Sequence, residues 1–213
     1  MIDLWFPTAI YHEDLKPNQD TKQQMLEYLE GMPVTSNSYS GDNHGDYLLF
    51  NDKRFHWLNS EVSFHCKEYL RAFNVDIDKI KLYASKAWPT RCTKGGNINR
   101  HTHPNSVLSV VYYPKSSNQL NGGKLKFYSP HTNKLPIHVE EYNDLSYSDT
   151  QYVPEEDRLF IFPSYLDHEV ETYYGYSPRY SISYDIIVTA SDVKTNNEFA
   201  IVDPNSWRDI DVI

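Results

Sequence analysis

Apolar side chains return every three or four positions in the first third of the chain. Met25, Leu26 and Leu29 share one helical face, Thr21 and Gln24 stand at capping-box spacing, and Gly31 is a natural stop. This predicts a helix from Asp20 to Gly31. Phe55, Leu58, Val62, Cys66, Tyr69, Leu70 and Phe73 repeat the pattern, predicting a second helix over Asn51 to Phe73, ended by Asn74. It should pack outside a sheet through Phe55, Leu58, Val62, Leu70 and Phe73. From Ile80 the period drops to two. Ile80, Leu82 and Ala84 alternate with polar neighbours, and further strands are predicted at 107–113, 125–128, 159–163, 168–174 and 180–189. Trp5 to Tyr11, with Pro7, reads as an edge strand. Two helices ahead of many short strands give a mainly β chain with flanking helices, a sandwich or barrel and not βαβ units. Residues 1–213 read as one domain: helices within 20–74, a β core over about 80–190, and a tail over 191–213 lying across the surface. Loops 31–47 and 131–153, the second carrying Tyr142, Tyr147 and Tyr152, are candidate lids.

Composition narrows the class. Mean hydropathy is low, at -0.65, but 15% aromatic residues argue against disorder. Net charge is -9, and basic residues come only in short groups such as Lys53-Arg54, Lys79/Lys81 and Arg91/Lys94. That argues against a duplex nucleic-acid binder, which needs a basic face. No apolar run approaches the ~18 residues of a membrane span, and Asp3 stands where a signal peptide wants a base. Cys66 and Cys92 set no disulfide framework. The expectation is a cytoplasmic protein with two free thiols. The aromatic-rich second helix makes a homodimer worth testing.

Three of the nine histidines stand out. His101 and His103 are two apart before a predicted strand, so both rings can face one point. If the strands at 107–113 and 168–174 are neighbours, His168 joins them. Such a cluster with open coordination positions suits Fe(II), Zn, Ni or Mn; the competing reading is three surface histidines in polar loops. Arg179 follows His168 and leads the apolar run Tyr180 to Val188, with Ser181 in phase. Buried there, its planar fork needs an anion such as a carboxylate. The alternative is an edge arginine paired with Glu169 or Glu171 across a hairpin.

The residues Phe6-Pro7-Thr8, Ala87-Trp88, Asn99 to Ser106, Leu108 to Tyr113, Gly122 to Phe127, Leu159 to Ser164 and Arg179 to Ser183 fall in a recognisable order. It resembles that of the Fe(II)/2-oxoglutarate-dependent oxygenases, and more closely an oxygenase family found in bacterial and phage genomes. The resemblance covers most of the chain, to about residue 188. It implies a double-stranded β-helix of the jelly-roll or cupin type, with Fe(II), 2-oxoglutarate and O2 as cofactors and a host-cytoplasmic location if the chain is viral. It implies iron on His101 and His168, and the distal carboxylate of 2-oxoglutarate on Arg179 with help from Ser181, Asn99 and Tyr113 joining them as cosubstrate contacts. The implied reaction hydroxylates a substrate carbon and releases succinate and CO2. The substrate itself is unwritten: a small molecule, a peptide side chain or a single-stranded base all remain open.

Two positions depart from that pattern. His103 stands where the third ligand, an acid, belongs in a two-His, one-carboxylate triad. Either it is a third neutral ligand, which is the expectation taken forward, or it does not ligate and leaves a position open. Asp157 stands where a turn glycine is usual, and Asp tolerates such turns. Two rivals stay in view. Gly95 and His101-Thr102-His103 match the opening of a cupin motif, but Val107 and Leu108 occupy the place of its Glu. A non-catalytic β-helix binding module is the other. Metal content separates the module from the enzymes, and 2-oxoglutarate consumption separates oxygenase from cupin.

Overall fold

The computed structural model describes residue 3 and residues 6–33, 47–116, 122–131, 137–143, 145–192 and 202–212. Helix α1 spans Gln19–Gly31 and α2 spans His56–Arg71. The cap of α1 is Asn18, whose side chain accepts the Thr21 N–H at 2.8 Å, in place of the expected Thr21/Gln24 box. Before α2, two 3-10 turns at Leu49–Asn51 and Lys53–Phe55 replace the expected first helical turn. There Asp52 takes the Arg54 N–H and competes with helix initiation. Asn74 does end this region, with φ at 59°.

Among the described residues nine strands follow one another: β1 Tyr11–Asp14, β2 Ile80–Cys92, β3 Ile98–His101, β4 Leu108–Lys115, β5 Leu125–Tyr128, β6 Asp149–Tyr152, β7 Arg158–Pro163, β8 His168–Val170 and β9 Arg179–Ala190. They form an antiparallel sheet in the order β1-β7-β4-β9-β2 and a smaller one in the order β3-β8-β5-β6. The expected N-terminal strand lies later, because Phe6 turns with φ at 62° and Pro7 lacks a ladder N–H. Strand β8 stops at Val170, short of the expected 174; beyond it a bridge from Gly122 to Tyr173 and scattered backbone hydrogen bonds continue the pairing. Of the two candidate lids, 149–152 is a strand, while residues 34–46, 132–136 and 144 lie outside the described residues.

The large sheet has two buried faces, which is why its strands read as continuous apolar runs. From β4, Leu108, Val110 and Tyr112 pack with the helices; from β7, Leu159 and Ile161; from β9, Tyr180, Ile182, Tyr184 and Ile186. Phe55, Leu58, Val62, Cys66, Tyr69 and Leu70 meet them from the helix side. Phe73, expected in that layer, is 53% exposed because it lies beyond the last turn of α2. The alternate residues Val111, Tyr113, Phe160 and Phe162 turn inward and meet Leu125, Phe127 and Val170 of the small sheet. Strand β2 changes sides midway. Its register shifts between Ala84 and Lys86, so Leu82 and Ala84 face the helices before the bulge and Ala87 does after it. Trp88, Thr90 and Cys92 thereby turn to the inner face. Cys66 and Cys92 are both buried and free. Among the described residues no helix is long and apolar enough to cross a membrane.

Candidate active site

Between the sheets lies a cavity of about 320 Å³. Trp88, Thr90, Asn99, the three histidines, Ser109, Tyr113, Ser181 and Ser183 all line it. Strand β9 runs along its floor. Arg179, Ser181, Ser183 and Asp185 alternate with the helix-facing residues and share the inner face. Across the ladder from them stand Cys92, Thr90, Trp88 and Lys86 of β2.

His101, His103 and His168 converge at one end, with one ring nitrogen from each lying within 4.8 Å of the others. The route differs from the expected one. Strand β4 pairs with β7 and β9, not β8. His101 and His168 instead face each other across the β3–β8 ladder, ring centroids 4.3 Å apart. His103 lies beyond the end of β3, held by its N–H to the Ser164 carbonyl at 3.0 Å.

Every Nδ1 in the cluster faces an acceptor. His101 donates to the Asn99 carbonyl at 2.7 Å, His168 to the Leu166 carbonyl at 2.9 Å, and His103 to Asp185 Oδ1 at 2.6 Å. A carbonyl or carboxylate oxygen can only accept, so the protons sit on Nδ1 and the Nε2 lone pairs are bare. His103 Nε2 and His168 Nε2 are 3.2 Å apart. Two bare lone pairs at that distance repel, unless a cation lies between them. Ligands at about 2.0–2.1 Å from one ion sit roughly 3–3.4 Å apart at right-angled to tetrahedral separation. The donor set therefore fits a divalent metal. Burial also keeps two of the rings neutral: it lowers His101, and with the neighbouring His101 it brings His168 down to about 3. Asp167, beside His168, turns away to Arg100, Nε to Oδ2 at 3.0 Å.

The opposite end is cationic. Arg179 is 2% exposed, and its guanidinium lies 5.4 Å from the Tyr113 ring centre and 5.1 Å from that of Tyr173. Its Nη1 donates to the Gly123 carbonyl, while its Nε has no partner. The expected alternative, an ion pair with Glu169 or Glu171, is not formed. A buried guanidinium without a carboxylate is costly, and a ligand carboxylate would satisfy it. Burial pushes the Tyr113 phenol up to about 12, with Arg179 pulling the other way. Ser181 lines the cavity between this end and the histidines. Asn99 contributes through its backbone carbonyl, and its side chain meets Asn97 at 3.3 Å.

Residues 86–185 match the sequence profile of the family described as "Putative 2OG-Fe(II) oxygenase". That span contains all three histidines and Arg179. Over that span the chain is similar to the 2OG-Fe(II) oxygenases. Fe(II), 2-oxoglutarate and O2 are the cofactors of such an oxygenase. Solved structures place the chain in the double-stranded β-helix fold. A prolyl hydroxylase from Trichoplax adhaerens, in complex with a hypoxia inducible factor peptide fragment, is 21% identical with TM-score 0.54, over 84% of this chain and 82% of that one. HygX from Streptomyces hygroscopicus with iron bound is 10% identical with TM-score 0.55, over 84% and 82%. The viral collagen prolyl hydroxylase of Paramecium Bursaria Chlorella virus-1, as a 2OG complex, is 12% identical with TM-score 0.51, over 83% and 94%. No curated protein matches the chain.

Two residues that line the site were not singled out from the sequence as members of it. Asp185 is an acid inside an apolar run and in phase with Arg179, a signal that was present. Trp88 stacks on His103, centroids 5.6 Å apart at 24°, and only the bulge in β2 aims it there.

Proposed function

We propose that the chain is an Fe(II)- and 2-oxoglutarate-dependent dioxygenase that hydroxylates its substrate. The carrying observation is one cavity with three bare imidazole nitrogens at one end and, at the other, a buried guanidinium with no carboxylate and a free Nε. In this reading His101, His103 and His168 hold the iron, and Arg179 with Ser181 binds the distal carboxylate of 2-oxoglutarate. Tyr113 and Tyr173 hold the guanidinium between their rings. When bound, iron and cosubstrate supply the oxidation, in which 2-oxoglutarate and O2 yield succinate, CO2 and a hydroxylated carbon. The protein's part is to separate the two charges along β9, to wall out water with Phe162, Val111 and Leu125, and to leave the Trp88 and Arg100 rim for the substrate. A peptide side chain is the favoured substrate, because the Trichoplax relative is bound to a peptide. With this goes a reading of residues 1–213 as one domain, supported by a core that joins both helices to the large sheet, and of a reducing, cytoplasmic setting, supported by two free buried thiols.

Anaerobic calorimetry with Fe(II) and then 2-oxoglutarate tests this. His101→Ala, His103→Ala and His168→Ala should each lose iron. Arg179→Ala should keep iron and lose 2-oxoglutarate, and Arg179→Lys should restore little because it lacks the fork. Unchanged 2-oxoglutarate affinity in Arg179→Ala overturns the cosubstrate assignment. If His103→Ala keeps wild-type iron affinity, His103 is a bystander to a two-histidine site.

A further inference from the structure

Asp185 is 5% exposed, in the middle of β9. Its charged partner among the described residues is a single imidazole, that of His103, at 2.6 Å. A carboxylate buried against a single imidazole is poorly compensated. It becomes well compensated when a cation sits on the far side of that ring. The other two histidines of the cluster are steadied by backbone carbonyls; only His103 has an acid behind it. The His103 ring is held from several sides. Trp88 stacks on it, and His168 stacks on it at 5.0 Å and 15°. Its own N–H is bound to Ser164, and its carbonyl accepts from Ser106 Oγ at 3.1 Å.

We propose that Asp185 is a positioning residue for the metal. It fixes His103 with Nε2 turned to His101 and His168, and it places behind that ring the negative charge that a carboxylate ligand at position 103 would put on the ion. Asp185 and His103 then act as one unit, an anionic ligand divided between two side chains. The bond it forms also ties the metal end to the strand that bears Arg179. This rests on the three-histidine reading given above. Outer partners of this kind change metal affinity by roughly 10–100-fold in other sites.

The test is anaerobic Co(II) titration of the whole chain, read by the visible absorption of the bound ion and by affinity. The variants are Asp185→Asn, Asp185→Glu and Asp185→Ala, each alone and with His103→Ala. Asp185→Asn is nearly isosteric, so it stays informative if the Ala variant fails to fold. The expected result is a roughly 10–100-fold loss of Co(II) affinity in Asp185→Asn and Asp185→Ala. The spectrum should change with it, and Asp185→Glu should recover part of the loss. In the His103→Ala background the same changes should have no further effect, because the cycle isolates a pairwise interaction. Wild-type affinity and spectrum in Asp185→Asn overturn the proposal. So does an equal loss with and without His103, which marks a general structural role. If His101→Ala and His168→Ala leave Co(II) binding untouched, the metal site itself fails, an outcome distinct from both.

Discussion

Gly123 sits against the guanidinium it serves. Its φ is 68°, and a Cβ there would lie 2.5 Å from Arg179 Nη1 and 2.9 Å from the Tyr173 ring. Gly123→Ala should therefore displace Arg179 from its place between the tyrosines. The expected outcome in calorimetry is a loss of 2-oxoglutarate affinity of roughly tenfold or more, the factor made by about 1.4 kcal/mol, with iron affinity retained. Equal losses of both ligands would point to general unfolding. His168 makes a second prediction. The unfolded chain takes up its proton near ~6.5, whereas the folded ring resists until about 3. The metal-free protein should have its full stability above the first value and lose it as pH falls toward the second. The slope is at most about 1.4 kcal/mol per pH unit for one site. Urea unfolding of the metal-free protein at several pH values reads the slope, which His168→Gln should flatten. An unchanged slope in that variant would reassign the effect to other groups.

Helix α1 depends on its cap. Asn18→Ala removes the acceptor for the Thr21 N–H and should cost about 1 kcal/mol in denaturant unfolding, leaving iron and 2-oxoglutarate binding unaltered. Asn18 lies about two turns before Met25, where the hydrophobic stripe begins, which explains why periodicity put the start at Asp20. Long elements with a one-sided or fully buried pattern were legible: the α2 stripe, and strands β4, β7 and β9. Strands β3 and β6 were not. Each is four residues at an edge of the small sheet with at most half-buried side chains, so hydrophobicity leaves no trace of them. The site divides in the same way. The histidines and Arg179 could be read because a ligand set and a buried cation are rare in apolar surroundings. The route that joins them, the β3–β8 ladder and the bulge after Ala84, is long-range pairing that no local window contains. Asp157 was legible in part: its φ of 64° fits the expected turn. Its carboxylate, which accepts from Tyr112 at 2.7 Å and Lys22 at 2.6 Å, gives the turn a second task of joining α1 to the large sheet.

The molecule places its two ligand ends on walls of different build. Arg179 and Asp185 belong to a twelve-residue strand paired on both sides, by β4 and β2. His101 and His168 belong to strands of four and three residues, and β3 is an edge. Amide exchange should register that contrast. Protons of central β9 should leave only when the whole domain opens, and those of β3 and β8 through brief local excursions. A divalent ion joining both walls through the three rings would suppress those excursions. Deuterium uptake measured with and without Co(II) should then slow in residues 98–103 and 166–170 and stay unchanged in α1. Uniform slowing throughout would mean that binding only adds global stability. Where those excursions open the three rings to solvent, they also set the rate at which the site can be loaded or stripped.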